Sequence, residues 1–126
     1  MIDHVSVGVR SLARSTAFYE AVLAALGMAK LVERPTTIGF GARYSEFWIH
    51  ERPAMAPVAS EAGSHIAFRV RTPEEVERFH AAALASGGTD DGPPGKRQYS
   101  RASVFAAFVR DPDGNRIEAV ALLLEP

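Results

Sequence analysis

Short stretches of alternating apolar and polar residues open both halves of this chain. In HVSVGV, residues 4–9, Val5, Val7 and Val9 alternate with His4, Ser6 and Gly8. In HIAFRV, residues 65–70, Ile66, Phe68 and Val70 alternate with His65, Ala67 and Arg69. Strict alternation of this kind predicts half-buried strands. Each is followed by an apolar stripe at helical spacing: Phe18, Val22, Leu23 and Leu26, then Val76, Phe79, Ala83 and Leu84. Those stripes predict two amphipathic helices. Ser11 and Thr72 offer capping oxygens, Pro73 suits a first helical turn, and Glu74 and Glu75 complement its positive end. Gly27 and Gly88 are expected to stop the helices.

The two halves are versions of one unit. A shift of 61 residues places His4 on His65, Val9 on Val70, Ser11 on Thr72, Phe18 on Phe79 and Gly27 on Gly88 without a gap. An ordered match of strand, cap, helix and glycine indicates an internal repeat. The tails correspond more loosely. IGFG and EFWIH flank a short turn in the first half, and FAAFV and RIEAV flank DPDGN in the second. Each half therefore predicts a strand, a helix and about three strands. Residues 51–63 read as a linker between repeats. Residues 86–103 read as a long irregular loop, because Gly92, Pro93, Pro94 and Gly95 oppose a regular element. Such a loop either covers a pocket or is an ordinary excursion into solvent.

The repeat assigns faces. The helices need apolar cover, so Val5, Val7, Ile66 and Phe68 should lie beneath them, joined by Phe47, Ile49, Ile117 and Ala119. His4, His65, Trp48, His50 and Glu118 then share the opposite face. Two imidazoles and a carboxylate suit a divalent cation with open positions for water or substrate. The plainer reading is a pair of hydrogen-bonded strand histidines, with Glu118 paired to Arg116 or facing solvent. Trp48 takes the place opposite Glu118 in the repeat. It either lines an apolar substrate pocket or fills the space of a lost ligand. His50 could donate a proton at the pocket rim, or stand as an edge residue in solvent. Arg69, Arg97, Tyr99 and Arg101 form either an anion-binding rim or a solvated face. His80, on the second helix, reads as a surface or subunit-contact residue.

Composition narrows the partners. With 126 residues, 14 basic against 15 acidic side chains and a formal net charge of -1, the chain offers no basic track for nucleic acid. It has no cysteine, hence no disulfide, thiol nucleophile or thiolate-bound metal. No apolar run is long enough to cross a membrane and no leader is evident, so a cytoplasmic location is expected.

At this point the chain resembles a family. IDHVSVGVRSLARSTAFYEAVLAALGM, GSHIAFRV, FWIHE and FVRDPDGNRIEAV are similar to segments of the vicinal oxygen chelate superfamily of glyoxalases, bleomycin-resistance proteins and extradiol dioxygenases. The resemblance implies an α+β domain over residues 1–126, with paired βαβββ modules at about 1–55 and 63–124 forming a cupped mixed sheet. It also implies a homodimer whose partner helps complete each site. His4, His65 and Glu118 match family metal-ligand positions, with zinc, nickel, manganese or iron as the ion. Glu118 and His50 are the candidate catalytic groups, and Trp48, Arg69, Tyr99 and Arg101 the candidate substrate pocket. Trp48 departs from the fourth ligand of glyoxalase I-like members, which weakens a lactoylglutathione lyase assignment. The chain also lacks the potassium-binding loop of thiol-transferase relatives and is short for a dioxygenase. It looks closest to a bacterial glyoxalase-like subgroup. The expectation is a divalent-metal-dependent lyase, isomerase or related enzyme acting on a small oxygenated or carbonyl compound. The alternative is a metal-independent small-molecule or drug-binding protein of the bleomycin-resistance type.

Overall fold

A computed structural model describes residues 1–99 and 101–124, so Ser100 and the last two positions of the expected domain lie outside the described residues. The first half runs β1 (Val5–Val9), α1 (Leu12–Ala24), β2 (Ala29–Glu33), β3 (Thr37–Gly41) and β4 (Phe47–Glu51). The second runs β5 (Ile66–Val70), α2 (Pro73–Ala85), β6 (Thr89–Asp90), β7 (Gly95–Tyr99), β8 (Ala102–Arg110) and β9 (Arg116–Leu123). The Ser11 and Thr72 hydroxyls accept from the Arg14 and Glu75 amides and start the helices as expected. One sheet has the order β1-β4-β3-β2; the other has β5-β9-β8-β6, with β7 also on β8. In each, the first and last strands are parallel neighbours: Val5 lies opposite Phe47 and Ile66 opposite Ile117. The result is the expected α+β architecture of two βαβββ units with mixed sheets.

Three local expectations are corrected. Residues 86–103 are not an irregular loop. They supply β6 and β7, which pair with opposite ends of β8, Thr89 across from Arg110 and Gly95 across from Ala106. The long strand β8 carries amides and carbonyls that need partners, and only this segment is placed to satisfy them. The glycine–proline run breaks the strand in two instead of abolishing it. Leu84 is 45% exposed while Ala83 is fully buried, so the core stripe of α2 is Val76, Phe79 and Ala83. Gly87, not Gly88, holds the left-handed position after α2, with φ 98°, matching Gly27 at 78°. The amides of Gly88 and Met28 then close equivalent bonds to Ala83 and Leu23. Gly88 is required for close approach: a Cβ there would lie 2.7 Å from Phe18 Cε1 and 2.8 Å from the Arg110 carbonyl oxygen.

Both helices and the helix-side faces of both sheets share one core. Phe18, Tyr19, Phe40, Phe47 and Phe79 are fully buried in it, and Val5, Val7, Ile66 and Phe68 pack against it. Phe47 meets Phe68 across the two halves with ring centroids 5.4 Å apart. Because side chains alternate along a strand, the opposite faces of both sheets turn away from this core. Val104, Ala106 and Phe108 confirm the second face: they are buried but lie outside the shared cluster.

The DPDGN turn fastens the halves together. Asp113, 1% exposed, accepts from Arg10 Nε at 2.8 Å, Arg14 Nη2 at 3.2 Å, the Arg10 amide at 3.2 Å and Ser15 Oγ at 3.4 Å. Asp111 accepts from the buried Tyr19 hydroxyl at 2.7 Å and from Asn115, whose amide also reaches the Gly8 carbonyl at 2.9 Å. Burial, reinforced by Asp111, holds the Tyr19 phenol well above its ordinary pKa, so it remains a donor. Burial also lifts the Asp111 carboxyl, while the hydrogen bonds from Tyr19 and Asn115 oppose that rise. Asp113→Ala should lower unfolding free energy by about 1.5–3 kcal/mol, the range for hydrogen bonds to a charged group. Arg10 and Arg14 are part-exposed and rehydrate, which keeps the loss from being larger. Urea unfolding should show a lower midpoint at an unchanged slope; an unaltered midpoint would show that the turn does not hold the halves together.

Candidate functional site

Parallel pairing of β5 with β9 sets Ala67 opposite Glu118. His65, two residues earlier on the same face, reaches the carboxylate: Nε2 stands 3.1 Å from Glu118 Oε1. Glu118 is 4% exposed, and the imidazole is about one-third exposed. A carboxylate oxygen accepts, so the imidazole Nε2–H is the donor of this bond. Glu118 therefore neither pairs with Arg116 nor faces solvent. The ring of Phe108, directly across from Glu118, meets His65 edge-on at 5.5 Å.

Arginines flank the Phe108 ring. Arg116 Cζ lies 3.9 Å from the Phe108 ring centroid and Arg97 Cζ 5.5 Å. Asp91 Oδ2 accepts from Arg116 Nε at 2.6 Å and from Arg110 Nε at 3.2 Å. Arg97 lies on β7, not in a loop, and its guanidinium is held by the carbonyls of Pro93, Gly95 and Ala106. Tyr99, at the end of β7, is 43% exposed. Its pKa is raised, first by burial and then by the Glu118 charge, with Arg97 and Arg116 pulling it down. Arg69 follows His65 along β5, and Arg101 is an exposed turn residue. Phe108 and Asp91 were not singled out from sequence, and Arg116 was considered only as a partner for Glu118. Their signal was the β8–β9 register across DPDGN, which puts Phe108 beside Glu118.

The first sheet presents the matching face. Trp48 pairs with Ser6 and Gly39, as Glu118 pairs with Ala67, so the indole occupies the place equivalent to the carboxylate. His50 follows, opposite Gly8 and Thr37. His4 precedes β1, is half exposed, and binds Asp3 Oδ2 through Nδ1 at 2.7 Å. His4 and His65 border one groove of about 590 Å³, together with Glu46, Phe47, Phe68 and Arg69. They do not converge further. Among the described residues, no three histidine, aspartate or glutamate side chains come together as a metal-holding group. The sequence places all three candidate ligands on equivalent faces, and the structure brings only two of them together. β1 and β5 are end strands of separate sheets, which keeps His4 apart from the other two.

The His65–Glu118 pair still fits half of a cation site. Two donors each about 2.0–2.2 Å from a tetrahedrally held zinc ion stand roughly 3.3–3.6 Å apart. The 3.1 Å separation is shorter by a few tenths of an ångström, the span of the hydrogen bond that now joins the two atoms. A cation entering here would displace the proton of that bond.

Comparison with known proteins agrees with this architecture. The sequence model of the Glyoxalase/Bleomycin resistance protein/Dioxygenase superfamily matches residues 1–119, and the chain belongs to that superfamily. A glyoxalase/bleomycin resistance protein from Albidiferax ferrireducens T118 is 36% identical over 94% of this chain and 96% of its own, with a TM-score of 0.84. The fold is also shared with a glyoxalase/bleomycin resistance protein/dioxygenase family enzyme from Burkholderia phytofirmans PsJN, at 21% identity, 97% and 98% coverage and a TM-score of 0.72. The genomically encoded fosfomycin resistance protein FosX from Listeria monocytogenes shares it at 20% identity, 96% and 92% coverage and a TM-score of 0.68. No curated protein matches the chain. No helix among the described residues is long and apolar enough to cross a membrane.

Glu118→Gln removes a negative charge and retains an oxygen to accept from His65. The Tyr99 phenol should then titrate at lower pH, because its phenolate loses a repelling neighbour. Ultraviolet difference titration against a Tyr99→Phe reference measures this, and an unmoved midpoint would separate Tyr99 from the Glu118 site.

Proposed function

We propose that this chain is a divalent-metal-dependent enzyme of the glyoxalase superfamily, a lyase, isomerase or related catalyst, acting on a small oxygenated or carbonyl substrate. The reading rests on the buried Glu118 carboxylate hydrogen-bonded to His65 at 3.1 Å. His65 and Glu118 supply two ligands, and His4 of the partner subunit supplies the third in a homodimer. Zinc, nickel, manganese and iron all suit one carboxylate and two imidazoles. Bound there, the ion supplies electrostatic stabilisation to an oxyanion developing on the substrate. The protein does the rest. Phe108, across the strand from Glu118, helps to keep water from the carboxylate. His50 stands on the rim of the first-sheet face as a proton donor, and Arg69, Tyr99 and Arg101 border the second-sheet face.

Trp48 favours a second reading. Where Glu118 offers donor oxygens, its counterpart offers an indole that cannot ligate. A metal-independent binder would use that aromatic surface to hold a drug-like molecule.

Metal analysis of the untagged protein tests the first reading. Wild type should bind one ion per chain, and His4→Ala, His65→Ala and Glu118→Gln should each lose it. Mixed dimers of His4→Ala with Glu118→Gln chains should regain metal, because one shared site is then intact. Mixtures of His65→Ala with Glu118→Gln should not, since both changes fall in the same half-site. Wild-type affinity in His4→Ala would reject the shared site. A wild type that binds none of the four ions would leave the binding protein.

A further inference from the structure

The first-sheet face contains a cavity of about 430 Å³ lined by Asp3, His4, Arg34, Thr37, Trp48 and His50, with Ser45 at its floor. Every one of these belongs to one half of one chain, so the cavity needs neither a metal ion nor a second copy to exist. It thus goes beyond the metal-dependent reading and does not rest on it.

Four features specify what it would hold. First, its apolar wall is flat. Trp48 leans across to β3, where Gly39 leaves it room: a Cβ at Gly39 would lie 3.0 Å from Trp48 Cη2 and 2.5 Å from Ser45 Oγ. Any other residue there would displace both side chains. Second, the Arg34 guanidinium stands over the indole, Cζ 5.4 Å from the ring centroid, within range of a cation–π contact. None of the ion pairs among the described residues includes Arg34. Third, Ser45 Oγ is buried with no hydrogen-bond partner among the described residues. A buried hydroxyl without a partner is unfavourable and is a standing demand for one. Fourth, the polar lining is rich in donors. Arg34 only donates, and Ser45, Thr37 and His50 all can. The single acid, Asp3, is already engaged by His4 at 2.7 Å.

A flat apolar wall, an unpaired cation and an orphaned hydroxyl call for a planar group carrying anionic oxygen. We propose that this cavity is a binding subsite for small planar carboxylates, an aromatic or conjugated acid whose ring lies along Trp48 and whose carboxylate takes hydrogen bonds from Arg34 and Ser45. The carboxylate gains a charge-assisted partner in Arg34, and the ring gains aromatic contact. Non-planar acids lose the ring contact, and neutral planar molecules lose the charged one. Trp48, in the place equivalent to Glu118, thereby recognises the ligand without touching a metal.

Trp48 is the one tryptophan in the sequence, so fluorescence excited at the red edge of its absorption, beyond that of the three tyrosines, reports this cavity. Benzoate, cyclohexanecarboxylate and benzamide are titrated into the full chain with a chelator present, using free N-acetyltryptophanamide to correct for absorption and collisional quenching. Benzoate should give a saturable change, with the other two at least about tenfold weaker, near 1.4 kcal/mol. Arg34→Met should weaken benzoate by about tenfold or more while leaving benzamide unchanged, as expected for loss of one charge-assisted bond. Ser45→Ala should weaken benzoate less. Arg78→Met, the same charge change on the exposed side of α2, should leave the titration as in wild type. Circular dichroism of each variant establishes that it is folded. Equal responses to benzoate and cyclohexanecarboxylate, no saturable change with benzoate, or an unaffected Arg34→Met would each overturn the subsite. Because chelator is present throughout, these outcomes are independent of metal binding.

Discussion

Burying the helix-side residues of both repeats in one core dictates where the chemistry can be. Phe47 of one sheet touches Phe68 of the other, and Gly88 lies against Phe18, so the two halves are packed directly on each other through their helix sides. The remaining sheet faces turn outward, one carrying His4, Trp48 and His50, the other His65 and Glu118. Asp113 and Asp111 fix this arrangement, because the turn that carries them is bonded to α1 and to the end of β1. The same turn connects β8 and β9, so it also sets the register that places Phe108 beside Glu118.

That geometry divides the candidate site into unlike halves. The second-sheet face is an electrostatic centre, with a buried carboxylate, an imidazole and several arginines whose charges are held by Asp91 and by backbone carbonyls. The first-sheet face is an aromatic one, with an indole, a loosely held arginine and an unsatisfied serine. Descent from one repeated unit explains why side chains as unlike as Trp48 and Glu118 occupy equivalent places. An enzyme needs both kinds of surface: one to stabilise developing charge and one to hold the body of a substrate in place. A single chain presents the two on separate sheets, and a second copy would be needed to bring them face to face.

Much of this was legible in the sequence. Strict alternation in IAFRV and RIEAV, with the helix-side residues fixed by the repeat, is enough to place His65 and Glu118 on one face. Pairing FWIH with IEAV correctly puts Trp48 opposite Glu118 in the repeat. Other features depend on packing that local pattern does not encode. Leu84 fits a helical stripe by spacing, but the helix rotates so that Ala83 meets the core. Residues 86–103 look irregular because their prolines and glycines are read locally, whereas β8 recruits them as strand partners. The separation of His4 from His65 follows from packing the repeats through their helix sides, and no residue announces that choice. Arg34 and Ser45 are ordinary in sequence and become notable only when β3 and β4 set them beside the indole.

The proposed metal site joins His65 and Glu118 of one copy to His4 of the partner subunit. Anomalous X-ray scattering from crystals of the metal-loaded protein, collected at the absorption edge of the bound ion, locates the ion. One strong peak per chain is expected, within coordination distance of His65 and Glu118 of one copy and His4 of the other. A peak held by ligands of a single chain, or an ion bound away from Glu118, would contradict it.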